Sequence, residues 1–143
     1  MKYLFSCTLV LLMGRAFAQQ DNCQWPWAHK FNLSLEGTQV KLKDGDTVAV
    51  WTVVNHQLEG AMIHYYRDHS IRSQAHFSNG CMTGQACYYR KDGFLYLKEI
   101  YAGDVSPVEI TTYKRDGRSR KSILTGFQKG GAPKYRITRS RTI

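Results

Sequence analysis

The sequence predicts an all-β fold: an antiparallel meander of tandem hairpins, each about 24 residues long, joined into one elongated sheet. Three observations predict it. Asp44, Asp68, Asp92 and Asp116 recur at a spacing of 24, each preceded by a basic residue (Lys43, Arg67, Lys91, Arg115). Glycine follows in three copies, as Gly45, Gly93 and Gly117, and His69 takes that place in the other. Tyr65, Tyr89 and Tyr113 stand three positions before an aspartate, and Gly60 and Gly84 stand eight before one. The stretches between these marks are short, rich in β-branched and aromatic residues, and carry few helical periods.

Taken in order, residues 1–18 read as a signal peptide. Lys2 supplies a positive start, the run from Cys7 to Met13 is mostly apolar, and Ala16-Phe17-Ala18 is a small-x-small cleavage pattern. The run is too short to span a bilayer, which takes about 20 apolar residues. The expected location is periplasmic or secreted, with cleavage after Ala18. Residues 19–34 form a cap segment, in which Trp25-Pro26-Trp27 is expected to lie over the first hairpin. Residues 35–129 hold the repeats. Gly37 to Leu42 leads into Asp44-Gly45 and returns as the β-branched run Thr47 to Val54. Gly60 to Tyr66 and Gly84 to Arg90 are the next outgoing strands, with returns at Ile71 to Phe77 and Phe94 to Tyr101 that end at Asn79-Gly80 and Ala102-Gly103. Asp-Gly between β-formers predicts a two-residue hairpin turn, because both central positions favour positive φ. The last copy keeps Tyr113-Lys114-Arg115-Asp116-Gly117 but continues with Ser119, Arg120, Lys121 and Ser122. Residues 130–143 are a basic C-terminal strand and tail, with a closing strand at Lys134 to Arg139.

The chain has 143 residues, 20 Lys plus Arg against 11 Asp plus Glu, and 43% apolar residues, which bounds it to one modest unit. The charge is uneven. From Lys114 to Ile143 ten basic residues face a single acid, Asp116, whereas Gln19 to Tyr113 holds 8 basic and 10 acidic residues. Arg115, Arg118, Arg120 and Lys121 are therefore candidate binding residues for an acidic protein, anionic lipid or cell-wall polymer, with nucleic acid made the least favoured target by export. The plainer reading is a solvated basic edge. Tyr65, Tyr89 and Tyr113 share a register and so one face, with Tyr66, Phe77, Tyr88, Tyr96 and Tyr101 nearby. They serve either as an interface, since aromatic rings give much contact area for little lost freedom, or as the core of a thin sheet. Core is favoured for Phe77 and Tyr101.

Cys23, Cys81 and Cys87 remain after cleavage, and an oxidising compartment favours one pair. Cys81 with Cys87 is expected as a staple across a turn, while pairing of Cys23 with either stays open. Cys-x5-Cys fits no zinc spacing. His64 and His76 lie in one hairpin, where a metal site is conceivable but two unrelated strand residues are the better reading; no metal and no cofactor is expected. The repeated aspartates are expected to be structural. A meander of eight or nine strands leaves no insertion to build a lid or closed pocket, so catalysis is disfavoured.

Gly-x-x-x-x-Tyr-x-x-Asp-Gly at 23 to 24 residues resembles the MORN repeat. Tyr88-Tyr89-Arg90-Lys91-Asp92-Gly93 with its return strand is similar to the bacterial subfamily of YwqK-type antitoxins. The resemblance covers Leu35 to Lys129, and His69 and Pro107-Val108 depart from it. It implies hairpin repeats and a non-enzymatic role as an antitoxin or immunity protein that neutralises a toxin by protein–protein contact in the cell envelope. The alternative is a structural or adaptor module that binds anionic envelope components. In a eukaryotic source, Asn32-Leu33-Ser34 would instead be a glycosylation acceptor and the bacterial reading would fail.

Overall fold

The computed structural model describes residues 30–141. The signal segment, Cys23 and Trp25-Pro26-Trp27 lie outside the described residues. Among those described, nine strands follow one another: β1 (Gly37–Lys43), β2 (Asp46–Val54), β3 (Gln57–Tyr65), β4 (Ile71–Ser78), β5 (Cys81–Tyr89), β6 (Leu95–Ala102), β7 (Glu109–Tyr113), β8 (Arg118–Phe127) and β9 (Pro133–Arg141). They form one sheet in the order β1-β2-β3-β4-β5-β6-β7-β8-β9, every neighbour antiparallel. The sheet is open and uncurled, an antiparallel meander consistent with repeated hairpins.

The turns differ from the expected uniform Asp-Gly type. Asp44-Gly45 is a two-residue turn with φ of 56° and 90°, as the sequence predicts. In the next three copies the loop is one residue longer. Tyr66, Arg90 and Lys114 pair with Ser70, Phe94 and Arg118, and the left-handed position falls at His69, Gly93 and Gly117. The aspartate then sits in mid-turn and accepts a backbone N–H two residues on: Ser70 to Asp68 (3.1 Å), Phe94 to Asp92 (3.1 Å) and Arg118 to Asp116 (3.0 Å). That Asx geometry is why aspartate holds this column, and His69 completes the turn in glycine's place at φ 63°. At the opposite edge, Asn55-His56 forms a two-residue turn that the repeat pattern does not mark, alongside the expected Asn79-Gly80.

Two side-chain ladders bind the copies together along these edges. The cation preceding each aspartate reaches back to the aspartate of the copy before: Arg67 to Asp44 (2.9 Å), Lys91 to Asp68 (3.8 Å) and Arg115 to Asp92. At the other edge the recurring Leu-Glu-Gly supplies a carboxylate to the next turn. Glu36 accepts from the amides of Asn55 (3.0 Å) and His56 (2.8 Å), and Glu59 accepts from Asn79 (2.7 Å).

Because cross-strand partners share a face, the register sorts the whole sheet. One face, here the front, buries Ala49, Trp51, Val53, Leu58, Met62, Phe77, Met82 and Ala86. Phe77 is 1% exposed and Val53 0%. Burying such a side chain contributes about 1.5–3 kcal/mol, so this patch on β2 to β5 supplies most of the apolar stabilisation. Phe31 and Leu33 pack onto it, Phe31 meeting Trp51 edge-on with ring centroids 5.1 Å apart. Gly60 and Gly84 take positive φ, 74° and 66°, where the ladder slips beside Trp51 and Ala75. Each slip precedes a buried front-face residue, Met62 or Ala86.

Candidate binding surfaces

One row of partners crosses the whole front face: Lys41, Ala49, His64, Ser73, Tyr88, Leu97, Thr112, Arg120 and Arg139. Tyr65, Tyr89 and Tyr113 each follow a member of that row by one residue and so lie on the back face, opposite the core. The shared register is as the sequence predicts. All three are half-buried. They occupy the ends of β3, β5 and β7, with Ile71 opposite Tyr65 and Leu95 opposite Tyr89. Tyr66 donates to the carbonyl of Tyr89 at 2.8 Å, and Gln74 Nε2 to its hydroxyl at 3.3 Å. Burial, followed by the charge of neighbouring Cys87, pushes the Tyr89 hydroxyl above its ordinary pKa.

Other expected neighbours of the column are elsewhere. Phe77, Tyr88 and Tyr101 fall on the front face, Phe77 within the core cluster and Tyr88 and Tyr101 packed against it. Tyr88 and Tyr101 donate to the same carboxylate oxygen of Glu99, at 2.9 and 3.0 Å. Burial and then the Glu99 charge raise both hydroxyls, which keeps them protonated donors. At the turn edge a cation and a ring exchange places between copies: Arg72 lies over Tyr66 (6.0 Å), and Arg90 lies over Tyr96 (5.4 Å).

Three of the four basic candidates are engaged within the chain. Arg115 pairs with Asp92 and lies over the Phe94 ring at 5.1 Å. Arg118 Nε donates to Asp116 at 2.7 Å, and Lys121 reaches Glu109 at 2.7 Å on the back face. Lys121 accordingly holds the Glu109 carboxyl below its ordinary pKa. Arg120 has no ion-pair partner among the described residues. What sequence reasoning missed lies beside it. Arg118-Ser119-Arg120 on β8 runs against Arg139-Ser140-Arg141 on β9, so Arg118 faces Arg141, Arg120 faces Arg139, and the two serine hydroxyls meet at 2.8 Å between them. The two Arg-Ser-Arg triplets were the available signal, since a period of two puts both arginines of each on one face.

The expected cysteine staple does not form. Cys87 is a free, buried thiol on the back face, opposite Gln74 and Lys98. Cys81 is separately engaged, and no cysteine pair among the described residues stands at bonding distance. Distance along the strand explains it: Cys81 sits at the mouth of the Asn79-Gly80 turn opposite Ser78, whereas Cys87 lies six residues further along the same strand, about 20 Å away at the rise of a β-strand. His64 and His76 are also kept apart, on the front and back faces respectively. Burial first, then the charges of Arg72 and Lys41, lower the His64 pKa. Among the described residues no group of three or more His, Cys, Asp or Glu could hold a metal ion.

Comparison with known protein families, curated proteins and solved structures found no match for this chain.

Proposed function

We propose that the chain is a non-enzymatic binding protein that engages a protein partner through the back face of its sheet. In this reading it is an exported antitoxin or immunity protein of the kind the MORN resemblance implies, and it acts by covering a toxin's working surface. The observation that carries the proposal is the column Tyr65, Tyr89 and Tyr113, aligned by register on the face that does not bury the core. Strands in a sheet are about 4.8 Å apart, so the rings recur about every 10 Å, with Ile71 and Leu95 between them. Rigid amphipathic rings at regular spacing suit the centre of a protein interface, where a few aromatic anchors carry most of the energy.

The strand connections support a surface as the working element. The longest of them among the described residues, 103–108, has six residues, too few to close over a substrate. The test is protection from a toxin encoded beside this gene. The parent chain should restore growth of cells that express the toxin. Tyr65→Ala/Tyr89→Ala/Tyr113→Ala should fail to protect while keeping its β-sheet circular dichroism spectrum. Full protection by that folded triple variant would overturn the assignment of this face.

A further inference from the structure

The front face carries a second feature at its C-terminal end, independent of the protein-binding surface. Arg118, Arg120, Arg139 and Arg141 form a two-by-two block on adjacent strands. With Lys114 and Thr112 they line an open groove of about 620 Å³. Five cations share it, and among the described residues the single carboxylate paired with them is Asp116, held by Arg118. Like charges directly opposite one another in an antiparallel pair are destabilising, and here two such pairs stand side by side. Edge protection does not account for them. A charge guarding an open edge is needed only on the outer strand, β9, whereas β8 is an interior strand and its arginines stand directly opposite those of β9 in the register.

We propose that this block is a binding site for an oligophosphate, a ligand in which two or more phosphoryl groups are linked in a short chain. The dimensions and chemistry select that class. Facing residues are about 5 Å apart and same-face residues along a strand about 7 Å, so four guanidinium groups arise from a patch of that size. Each guanidinium offers a planar fork of donors, and a phosphoryl group presents three acceptor oxygens that forks from two strands can share. An extended acidic peptide fits less well: its same-face carboxylates, about 7 Å apart, would form one line and satisfy one row of arginines. The Thr112 hydroxyl, which donates to the Arg120 carbonyl at 3.4 Å, lies at the groove wall and adds no charge of its own.

The experiment is calorimetric titration of the chain with sodium tripolyphosphate at low salt, paired with thermal unfolding. The parent should bind, with affinity falling steeply as salt rises, and should unfold at a higher temperature when the ligand is present. Arg120→Gln/Arg139→Gln should weaken binding by about tenfold or more, since it removes one facing pair of charge-assisted donors. The same variant should unfold at a higher temperature than the parent without ligand, because one repulsive pair is gone. That readout also shows that the loss of binding is not a loss of fold. Arg136→Gln, on the back face of β9, should change the affinity by less than about twofold. Equal tripolyphosphate affinity in parent and double variant would overturn the site. Tighter binding of poly-glutamate, or binding to phosphatidylglycerol vesicles without binding to tripolyphosphate, would overturn the ligand class.

Discussion

At the scale of single residues, backbone conformation is what the repeat conserves most visibly within its own length. A Cβ built on Gly60 or Gly84 would meet nothing within 4 Å, so neither glycine is there for lack of room. Each is there because φ is 74° or 66°, a region that costs an L-residue about 1–2 kcal/mol. Gly84→Ala should therefore lower unfolding free energy by about that amount in urea titrations, with little change in slope. His69 is the converse. It accepts φ 63° in a position where Gly93 and Gly117 serve the other copies. His69→Gly should raise stability by about 0.5–1 kcal/mol, the strain relieved less the extra unfolded-chain entropy of glycine. The aspartates make a prediction about pH. Asp68 is held below its ordinary pKa of 3.8 by Ser70, Asp92 by Arg115, and Asp116 by Arg118. A carboxylate whose folded pKa is depressed stabilises the fold above the unfolded value, and that contribution is lost as pH falls through the folded value. The urea midpoint should thus decline as pH drops below 3.8, and Asp68→Asn/Asp92→Asn/Asp116→Asn should flatten the decline. A triple variant with the parent's acid sensitivity would place the titrating groups elsewhere.

At the scale of strands and turns, the hairpin period was legible because a column of Asp, Gly and Tyr at 24 residues repeats the same local geometry. The length of each turn was not, because Asp-Gly is compatible with both two- and three-residue loops. What decides is whether the preceding pair closes at Lys43 with Asp46 or one position wider, as at Arg90 with Phe94. The ladder between copies was equally hidden. Lys91 is adjacent in sequence to Asp92 yet pairs with Asp68, a contact that exists only once strands two apart are brought into line. Of the candidate surfaces, the tyrosine column was readable from register alone. The arginine block is hidden in the sequence, because it joins alternating positions of two strands, 21 residues apart in the chain, and composition shows only a basic C-terminal run. The cysteine expectation failed for a related reason: five intervening residues along one strand carry Cys87 away from the turn at Cys81. With Cys87 free and buried, Cys23 is the partner left for Cys81 in an oxidised, processed chain. Alkylation of denatured, unreduced protein should then label Cys87 alone by mass spectrometry, and labelling of all three cysteines would exclude any pair.

At the scale of the whole molecule, the meander is a one-dimensional array in which each strand pairs only with its sequence neighbours. Its two ends are treated differently. β1 leaves Val40 and Leu42 exposed, at 53% and 61%, and sets Lys41 and Lys43 beside them, the charge pattern that discourages edge-to-edge association. The interior copies carry the core, so an added copy should extend the sheet without disturbing either end. Residues 60–83 form one full period, and duplicating them before Gly84 repeats the junction already present at Thr83-Gly84. The inserted Phe77, Met62 and Met82 would continue the buried front-face patch. The inserted Arg67 would reach the original Asp68, and Lys91 the inserted one, so the edge ladder would remain whole. Such a chain should unfold in one cooperative step, with a urea slope roughly a fifth larger in proportion to the added buried surface, and a midpoint no lower than the parent's. The outcome discriminates between architectures. A sheet closed on itself would have its strand number fixed by closure, and a duplicated unit would be expelled, giving a second transition or aggregation. An open meander imposes no such count, and only a stack of self-similar hairpins predicts that the longer chain is at least as stable as the shorter one.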